Sequence, residues 1–169
     1  MSSIFLLLLL IILIILSGFL SGSETAITAT SKARILYKKK KGSKRAQYVL
    51  ELLDKKDNVI STLLLSNNLV NILASSLATA FFYDIFGVEG IFYATLIMTV
   101  VIVIFAEVLP KTYAINRPNR TALLISPIIY YLNKILFIFV FFINLIVRLI
   151  FRKNDNDIKN KDIQSEEEL

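Results

Sequence analysis

Residues 17–25, SGFLSGSET, follow an apolar run and decide how the start of the chain folds. Residues 4–16 are almost purely apolar, but a helix needs about 20 residues to cross the hydrocarbon core of a bilayer. A membrane helix therefore has to continue through SGFLSGSET to about Thr28, with serines, glycines and Glu24 inside it. A signal peptide is the alternative, but no Lys or Arg precedes Lys32, so the positive region of such a peptide is missing. The prediction is a retained first span.

The composition is that of a polytopic membrane protein, because 56% of the 169 residues are hydrophobic. One compact membrane domain over residues 1–150 fits this length, followed by a polar cytoplasmic tail or linker over 151–169. The chain contains no Cys and no His, which removes thiolate sites, the commonest metal ligand and the commonest general base. A metal site would have to be built from oxygen, which favours magnesium, calcium, manganese or sodium.

The positive charge is concentrated in one region. Of 19 Lys and Arg residues in a chain of net charge +6, ten lie within residues 32–56. Such a block can indicate nucleic-acid binding. Between two membrane spans it is more simply a cytoplasmic loop beside anionic lipid headgroups, so no nucleic-acid partner is predicted.

Two further spans are predicted, over about residues 59–83 and 91–109, joined by the turn YDIFGVEG, which has no basic residue. Pro110 is expected to bend or stop the third helix. Basic residues follow it, at Lys111, Arg117 and Arg120. By the positive-inside rule the basic loop is cytoplasmic, and the N-terminus and the acidic turn lie outside.

The apolar region after the third span is harder to assign. Pro127, Asn133 and Lys134 are expected to break it, leaving residues 135–147, which as a helix would measure about 20 Å against a core of roughly 30 Å. Basic residues flank both ends, so a pair of helices at the cytoplasmic interface is favoured over residues 122–151. A fourth span stays open as the alternative.

Polar residues recur at helical spacing in each predicted span, which places each set on one helix face. Polar groups inside a membrane usually face a protein interior or a pathway, so the three faces are expected to face one another. Hydroxyl, amide and carboxylate oxygens together suit a hard cation. The three sets are Ser17, Ser21, Glu24 and Thr28; Asn67, Asn71 and Ser75; and Thr95, Thr99 and Glu107.

Each of these residues also has a purely structural interpretation. A single hydroxyl in a membrane helix usually bonds the preceding turn. Gly18 and Gly22 form a GxxxG pair that allows close helix packing. Paired asparagines can bridge two helices.

The two acids have simple ion pairs available in the sequence. Glu24 lies close enough to pair with Lys32 or Arg34, and Glu107 stands four residues before Lys111. The coincidence of all three polar faces favours a binding site over these separate explanations.

Three motifs, in this order, resemble the membrane domain of the CorC/CNNM (cyclin M) magnesium transporter family. They are SGFLSGSETAI at 17–27, LLLSNNLVNI at 63–72 and FAEVLPKTYA at 105–114. The resemblance covers about residues 1–150. It departs from the family at Ser66, where many members carry glycine.

The resemblance implies an all-α membrane protein with three transmembrane helices, juxtamembrane or interfacial helices and an outside N-terminus. It further implies a multi-pass cell-membrane protein that forms a homodimer in the lipid bilayer, with cytoplasmic CBS domains in full-length relatives. It also implies a largely dehydrated Mg²⁺ between the three spans. The metal ligands implied are Ser17, Ser21, Asn67 and Glu107, with Asn71 and Glu24 as supporting candidates.

The function expected from this resemblance is magnesium transport, as an exporter with alternating access and with Na⁺ as a candidate coupling ion. Gly18, Gly22 and Pro110 would permit the helix bends that such a mechanism needs. A non-transporting anchor or sensor for cytoplasmic regulatory domains is the alternative. An intramembrane enzyme ranks third, because without His or Cys it would depend on Glu24 and Glu107 or on a Ser–Lys dyad, and the chain is not expected to be an enzyme.

Overall fold

The computed structural model describes residues 3–139, 141–142 and 145–146 of the chain. Every regular element in this part is helical. In chain order the elements are α1 (Ser3–Ala29), α2 (Lys32–Lys40), α3 (Lys44–Asp54), α4 (Lys56–Phe86), α5 (Glu89–Val101), a π-helical segment (Ile102–Val108), α6 (Leu109–Asn116) and α7 (Pro118–Ile135). The predicted all-α fold is confirmed.

Three helical stretches among the described residues are long and apolar enough to cross a membrane, which confirms the predicted number of spans. They are Ile4–Ala29, Lys56–Phe86 and Glu89–Asn116. The first continues without interruption through SGFLSGSET. A tight connection joins the second to the third, at which Gly87 has φ +64°. A Cβ on Gly90 would lie only 2.2 Å from the Phe82 carbonyl oxygen, so the two helices start their antiparallel contact at a glycine.

The prediction that Pro110 bends or stops the third span is wrong as to a stop, because the helix continues to Asn116. Proline lacks a backbone N–H and its ring clashes with the carbonyl four residues earlier. Here a π-helical turn precedes the proline, and the Leu109 N–H bonds the carbonyl of Ile104, five residues back. A π turn holds one extra residue, so it absorbs the clash without ending the helix.

The basic region between the first two spans is not a loop but the helix pair α2 and α3, joined at Gly42. Its apolar residues are buried on the membrane domain. Ile35 of α2 and Ala46, Val49 and Leu52 of α3 are fully or almost fully buried.

The prediction that Pro127 breaks the fourth apolar region is wrong, since α7 runs through it, but α7 ends at Ile135, directly after Asn133 and Lys134, where a break was also predicted. This helix packs against α1, α3 and α4 as the predicted interfacial helix would. The Thr62 hydroxyl of α4 donates to Asn133 Oδ1 of α7 at 2.7 Å, so this asparagine ties helices together. The second predicted helix of the pair lies only partly within the described residues, and the tail over 151–169 lies outside them.

The main apolar core joins α1, α3, α4 and α7 at the end of the spans where the basic helices lie. A smaller cluster, Leu10, Ala74, Ala78 and Met98, joins α1, α4 and α5 at the other end. In sequence, Ser17 and Asn71 lie between these two clusters, and Ser21 and Asn67 lie among the residues of the main core. The two apolar clusters therefore hold α1 and α4 together on both sides of the polar residues in the middle of the spans.

A candidate cation site between the first and second membrane helices

The centre of the candidate site is a contact among three side-chain oxygens of α1 and α4. Ser17 Oγ lies 2.8 Å from Asn67 Oδ1 and 2.6 Å from Asn71 Oδ1. The Ser17 side chain is 1% exposed and Asn67 is 7% exposed. The two asparagines share a face of α4 because they are four residues apart. The predicted meeting of the first two polar faces is confirmed at these three residues.

This contact contains more acceptors than one hydroxyl can satisfy. A serine hydroxyl has a single hydrogen to donate, and each amide oxygen only accepts. The hydroxyl hydrogen of Ser17 can therefore point well at Asn67 or at Asn71 but not at both. With Ser17 and Asn67 buried, the two amides can present both oxygens, together with the hydroxyl, to a cation, and without a cation either amide can turn its NH₂ group to the Ser17 oxygen.

Ser21, one helical turn after Ser17, adds a second unsatisfied group. Its side chain is 0% exposed, and its Oγ is the single buried side-chain polar atom without a hydrogen-bond partner in the described part of the chain. By contrast, Ser23, Thr25 and Thr28 of the same helix each bond the carbonyl four residues earlier. A buried donor left unpaired costs free energy, so an orphaned hydroxyl in this position indicates a missing partner.

Gly18 and Gly22 bring the third span against α1 on the neighbouring face. A Cβ at Gly18 would lie 3.1 Å from the Phe105 carbonyl oxygen and 3.2 Å from Pro110 Cγ, and one at Gly22 would lie 3.3 Å from Pro110. The packing interpretation of this GxxxG pair is thus confirmed, and α1 remains one continuous helix through both glycines. The turn that carries Glu107 therefore lies beside the turn that carries Ser17.

The π-helical segment changes the direction of the backbone carbonyls of the third span next to Gly18. Its backbone bonds run to the fifth residue, so the carbonyls around Phe105 are displaced from ordinary α-helical geometry. The Phe105 carbonyl points toward Gly18. The spacing of residues in the sequence does not predict that this carbonyl oxygen lies near α1. The one signal in the sequence is Pro110, because a proline ring clashes with the carbonyl four residues earlier, here that of Ala106, so the helix cannot stay regular.

Neither acid forms the ion pair that the sequence offered. The ion pair between Lys32 and Asp54 is the only one in the described part of the chain, so Glu107 does not pair with Lys111. Glu24 likewise pairs with neither Lys32 nor Arg34. Both glutamates are half-buried. They remain available as charged ligands, with Glu107 on the segment nearest Ser17 and Glu24 almost two turns further along α1.

Thr95 and Thr99 of the third polar face do not converge on this site, so the prediction is wrong for these two residues. Thr95 and Thr99 are exposed and bond carbonyls of their own helix, at 2.9 and 2.7 Å. With Ser75 and Thr79 of α4 they line a separate groove of about 310 Å³ between α4 and α5. Glu107 does not line it, because the extra residue of the π turn shifts the phase of the helix between Val103 and Glu107.

The donor set that the fold assembles is neutral oxygen with one or two carboxylates nearby. No cluster of three or more His, Cys, Asp and Glu residues that could hold a metal exists among the described residues. Such a donor set excludes a zinc-type site and fits a hard cation bound by hydroxyl, amide, carbonyl and carboxylate oxygens.

Comparison with known proteins assigns the chain to a family. A family model described as the cyclin M transmembrane N-terminal domain matches residues 8–169. The chain belongs to this family. The resemblance inferred from SGFLSGSETAI, LLLSNNLVNI and FAEVLPKTYA is confirmed, and these motifs supply Ser17, Asn67, Asn71 and Glu107 of the candidate site.

Relatives of this cyclin M domain occur in bacteria and plants. The chain is 39% identical over 137 residues to the UPF0053 inner membrane protein YfjD of Escherichia coli (strain K12), an alignment that covers 81% of this chain and 32% of that protein. It is 35% identical over 133 residues to a UPF0053 protein of Haemophilus influenzae, covering 79% of this chain and 32% of that protein. A putative DUF21 domain-containing chloroplastic protein of Arabidopsis thaliana is 29% identical over 122 residues, which are 72% of this chain and 18% of the plant protein.

The chain spans about a third of the length of the bacterial relatives that it matches. Together with the three membrane-crossing helices, the family match establishes a multi-pass membrane domain of the cyclin M family.

Proposed function

We propose that this domain carries Mg²⁺ across the cell membrane, binding the ion in a largely dehydrated state between its three membrane helices. The observation that carries the proposal is the oxygen cluster of Ser17, Asn67 and Asn71 next to the orphaned hydroxyl of Ser21. A bound cation would accept lone pairs from the three crowded oxygens and from Ser21 at the same time. Lipid and water offer no such partner at a buried level.

Glu107 provides the charge that neutral oxygens lack. Mg²⁺ gives up its water reluctantly and prefers six oxygens in an octahedron at 2.0–2.1 Å. Four neutral oxygens do not offset the loss of hydration of a divalent ion, whereas a nearby carboxylate in a region of low dielectric contributes strongly. Glu107 is half-buried, free of an ion pair and on the segment that contacts Gly18. Glu24 is the supporting candidate for the path to the cytoplasm.

Transport requires the site to open alternately to each side. The π turn before Pro110 is the element suited to this, since a π turn and an α turn differ by one residue and exchange hydrogen-bond partners locally. Export, with Na⁺ as the coupling ion and a homodimer as the working unit, completes the proposal. The N-terminus lies outside and the basic helices α2 and α3 lie in the cytoplasm, in keeping with the positive-inside rule.

The test is Mg²⁺ flux in proteoliposomes containing the purified chain, together with its unfolding temperature with and without Mg²⁺. Glu107→Gln and Asn67→Ala are expected to reduce flux to background and to remove the stabilisation by Mg²⁺. Glu89→Gln is the matched control, because Glu89 begins the same span, is exposed and lies away from the site. Wild-type flux and stabilisation in both site variants would overturn the site.

The same measurements separate a transporter from a non-transporting anchor or sensor. A sensor domain would retain stabilisation by Mg²⁺ that depends on Asn67 and Glu107, but liposomes containing it would show no flux above empty vesicles. Flux that saturates with Mg²⁺ and disappears in Glu107→Gln supports transport.

A further inference from the structure

The helix pair α2 and α3 is held at one face of the membrane by its connections. Two residues separate Ala29 at the end of α1 from Lys32 at the start of α2, and one residue separates Asp54 of α3 from Lys56 of α4. Lys32 Nζ and Asp54 Oδ1 lie 2.6 Å apart, so the two ends of the pair are also tied to each other. The pair cannot move away from the ends of the two spans that it connects.

Hydrogen bonds attach the same helices to α7. The Ser31 N–H donates to Asn119 Oδ1 at 3.1 Å, and the Ser126 hydroxyl donates to the Arg45 carbonyl at 3.3 Å. The rings of Tyr48 and Tyr130 lie 5.2 Å apart. The depth of α3 in the membrane is therefore set by the depth of α7.

Helix α7 is apolar on two opposite faces, which places it in contact with lipid. One face is buried against the spans, through Ala122, Ile125 and Ile129. The other face exposes Leu124, Ile128, Tyr131 and Ile135, at steps of four, three and four. A helix exposing such a row beside three membrane spans lies at the boundary between headgroups and acyl chains. The helix pair packed on it consequently lies at headgroup level.

The connection between α2 and α3 carries a dense group of exposed cations, which we call the basic cluster: Lys38, Lys39, Lys40, Lys41, Lys44 and Arg45. All six lie within eight positions. None of them is neutralised, because the only ion pair among the described residues is the one between Lys32 and Asp54. Six like charges this close repel one another unless an anionic surface offsets them.

Exposed apolar side chains accompany the basic cluster. Leu36 is 44% exposed and Tyr37 is 59% exposed, and they stand one helical turn before Lys40 and Lys41. Lys41 Nζ lies 4.7 Å from the centre of the Tyr37 ring. Tyrosine prefers the membrane–water interface, and lysine reaches from there to phosphate. A nucleic-acid base can stack on Tyr37 but offers Leu36 no comparable partner, whereas a lipid interface accepts both groups.

We propose that the basic cluster, with Leu36 and Tyr37, is a docking surface for the headgroups of anionic phospholipids such as phosphatidylglycerol. The cations bind the lipid phosphates, and the two apolar side chains enter the interface beside them. This inference does not rest on magnesium transport, and it would stand if the domain moved no ion. The positive charge of this region would thus bind lipid headgroups, and the helices α2 and α3 that carry it are held in a fixed position.

The experiment uses a single fluorophore in the cluster. The chain contains no tryptophan, so Tyr37→Trp introduces one indole beside Lys41. The protein is reconstituted into phosphatidylcholine vesicles containing the same mole fraction of either brominated phosphatidylglycerol or brominated phosphatidylcholine. We expect the brominated anionic lipid to quench the indole several-fold more strongly, and raising NaCl from 0.05 to 0.5 M to reduce this preference because added salt screens exposed charges.

A charge-removing variant and a charge-keeping variant complete the test. On the Tyr37→Trp background, replacing Lys38, Lys39, Lys40 and Lys41 by Gln is expected to reduce the preference for the anionic lipid roughly tenfold, as each cation contributes to binding. Replacing the same four by Arg is expected to preserve it. Should the glutamine variant fail to fold, the salt dependence of the single variant still decides the question.

Equal quenching by the two brominated lipids at low salt would overturn the proposal. So would the absence of quenching by either lipid, combined with a change in indole fluorescence when RNA or an acidic soluble protein is added. That second result would assign the basic cluster to a partner in solution.

Discussion

Two regions of this membrane domain carry polar side chains at the same helical spacing and use them differently. Between α1 and α4, Ser17 contacts Asn67 and Asn71 across the helix interface. Between α4 and α5, Thr95 and Thr99 line a groove, but each hydroxyl bonds a carbonyl of its own helix. The first region has more polar atoms than partners, whereas these threonine hydroxyls are satisfied within their helix.

The difference shows that a polar face on a membrane helix does not by itself make a site. A threonine hydroxyl can always return to the carbonyl four residues earlier, which satisfies it at little cost. The asparagine side chains of α4 instead reach a neighbouring helix, and the Ser17 hydroxyl bonds them rather than a carbonyl of its own helix. Unsatisfied groups and cross-helix contacts distinguish the candidate cation site from the groove, and periodicity alone does not.

The largest expected difference between the two regions is in the response to Mg²⁺. Asn67→Leu keeps most of the side-chain volume but removes the amide oxygen, so stabilisation by the ion should vanish. At a Mg²⁺ concentration 100 times Kd, that stabilisation amounts to about 2.7 kcal/mol. Thr99→Val, in the groove, should keep all of it. Unfolding of both variants in mixed micelles, with Mg²⁺ or EDTA, measures the effect; a Mg²⁺ response lost in Thr99→Val would contradict the distinction.

The second largest difference is expected in how well the two regions accept a larger side chain. Gly18→Val would drive methyl groups into the Phe105 carbonyl and Pro110, where even a Cβ lies 3.1 Å from the nearest atom. We expect a loss of about 1–3 kcal/mol in the free energy of unfolding. Thr99→Ile enlarges a side chain that faces open space and should change stability by less than about 0.5 kcal/mol. Equal stability of the two variants would mean that the third span does not lie against Gly18 as described.

The smallest expected effect is the change in stability caused by Ser21→Ala. It is informative because it differs between the ion-free and the Mg²⁺-bound protein. Ser21→Ala removes a buried hydroxyl that has no partner, so without Mg²⁺ the protein should be unchanged or more stable by about 1 kcal/mol. With Mg²⁺, the same variant should gain less from the ion than the wild type does. Unfolding in EDTA and in saturating Mg²⁺ measures both effects.

Ser23→Ala is the matched control for Ser21→Ala. Ser23 is equally buried but donates to the Phe19 carbonyl at 2.6 Å. Losing this hydrogen bond should lower the free energy of unfolding by up to about 1 kcal/mol. The loss should be the same with and without Mg²⁺. If Ser21→Ala behaved like Ser23→Ala, the hydroxyl of Ser21 would have no part in ion binding.

Much of this fold followed from the sequence because lipid imposes strict conditions. Apolar length set the three spans, and SGFLSGSET had to be helical for the first of them to cross. The steps of four between Ser17 and Ser21 and between Asn67 and Asn71 placed each pair on one face. The family motifs then identified which faces belonged together, and the contact between Ser17 and Asn67 agrees.

The wrong predictions came from applying a rule for a single residue without considering the residues around it. Pro110 was expected to end a helix, but the extra residue of the π turn removes the clash and the span continues. Pro127 was expected to break another, yet α7 continues through it while packing on the spans supplies the stability. The ion pairs that spacing made available to Glu24 and Glu107, and that the coincidence of the three polar faces did not favour, do not form in the described part of the chain.

By itself, the sequence determined the number of membrane helices, the oxygen-only chemistry of any metal site and the polar faces of the first two spans. Composition and periodicity suffice for these, since they depend on transfer into lipid and on the helical repeat. Only the tertiary structure decided that Thr95 and Thr99 belong to a separate groove, that Gly18 admits the π turn, and that Ser21 has no partner. Those facts depend on which backbone approaches which helix face, and close packing between helices sets that approach.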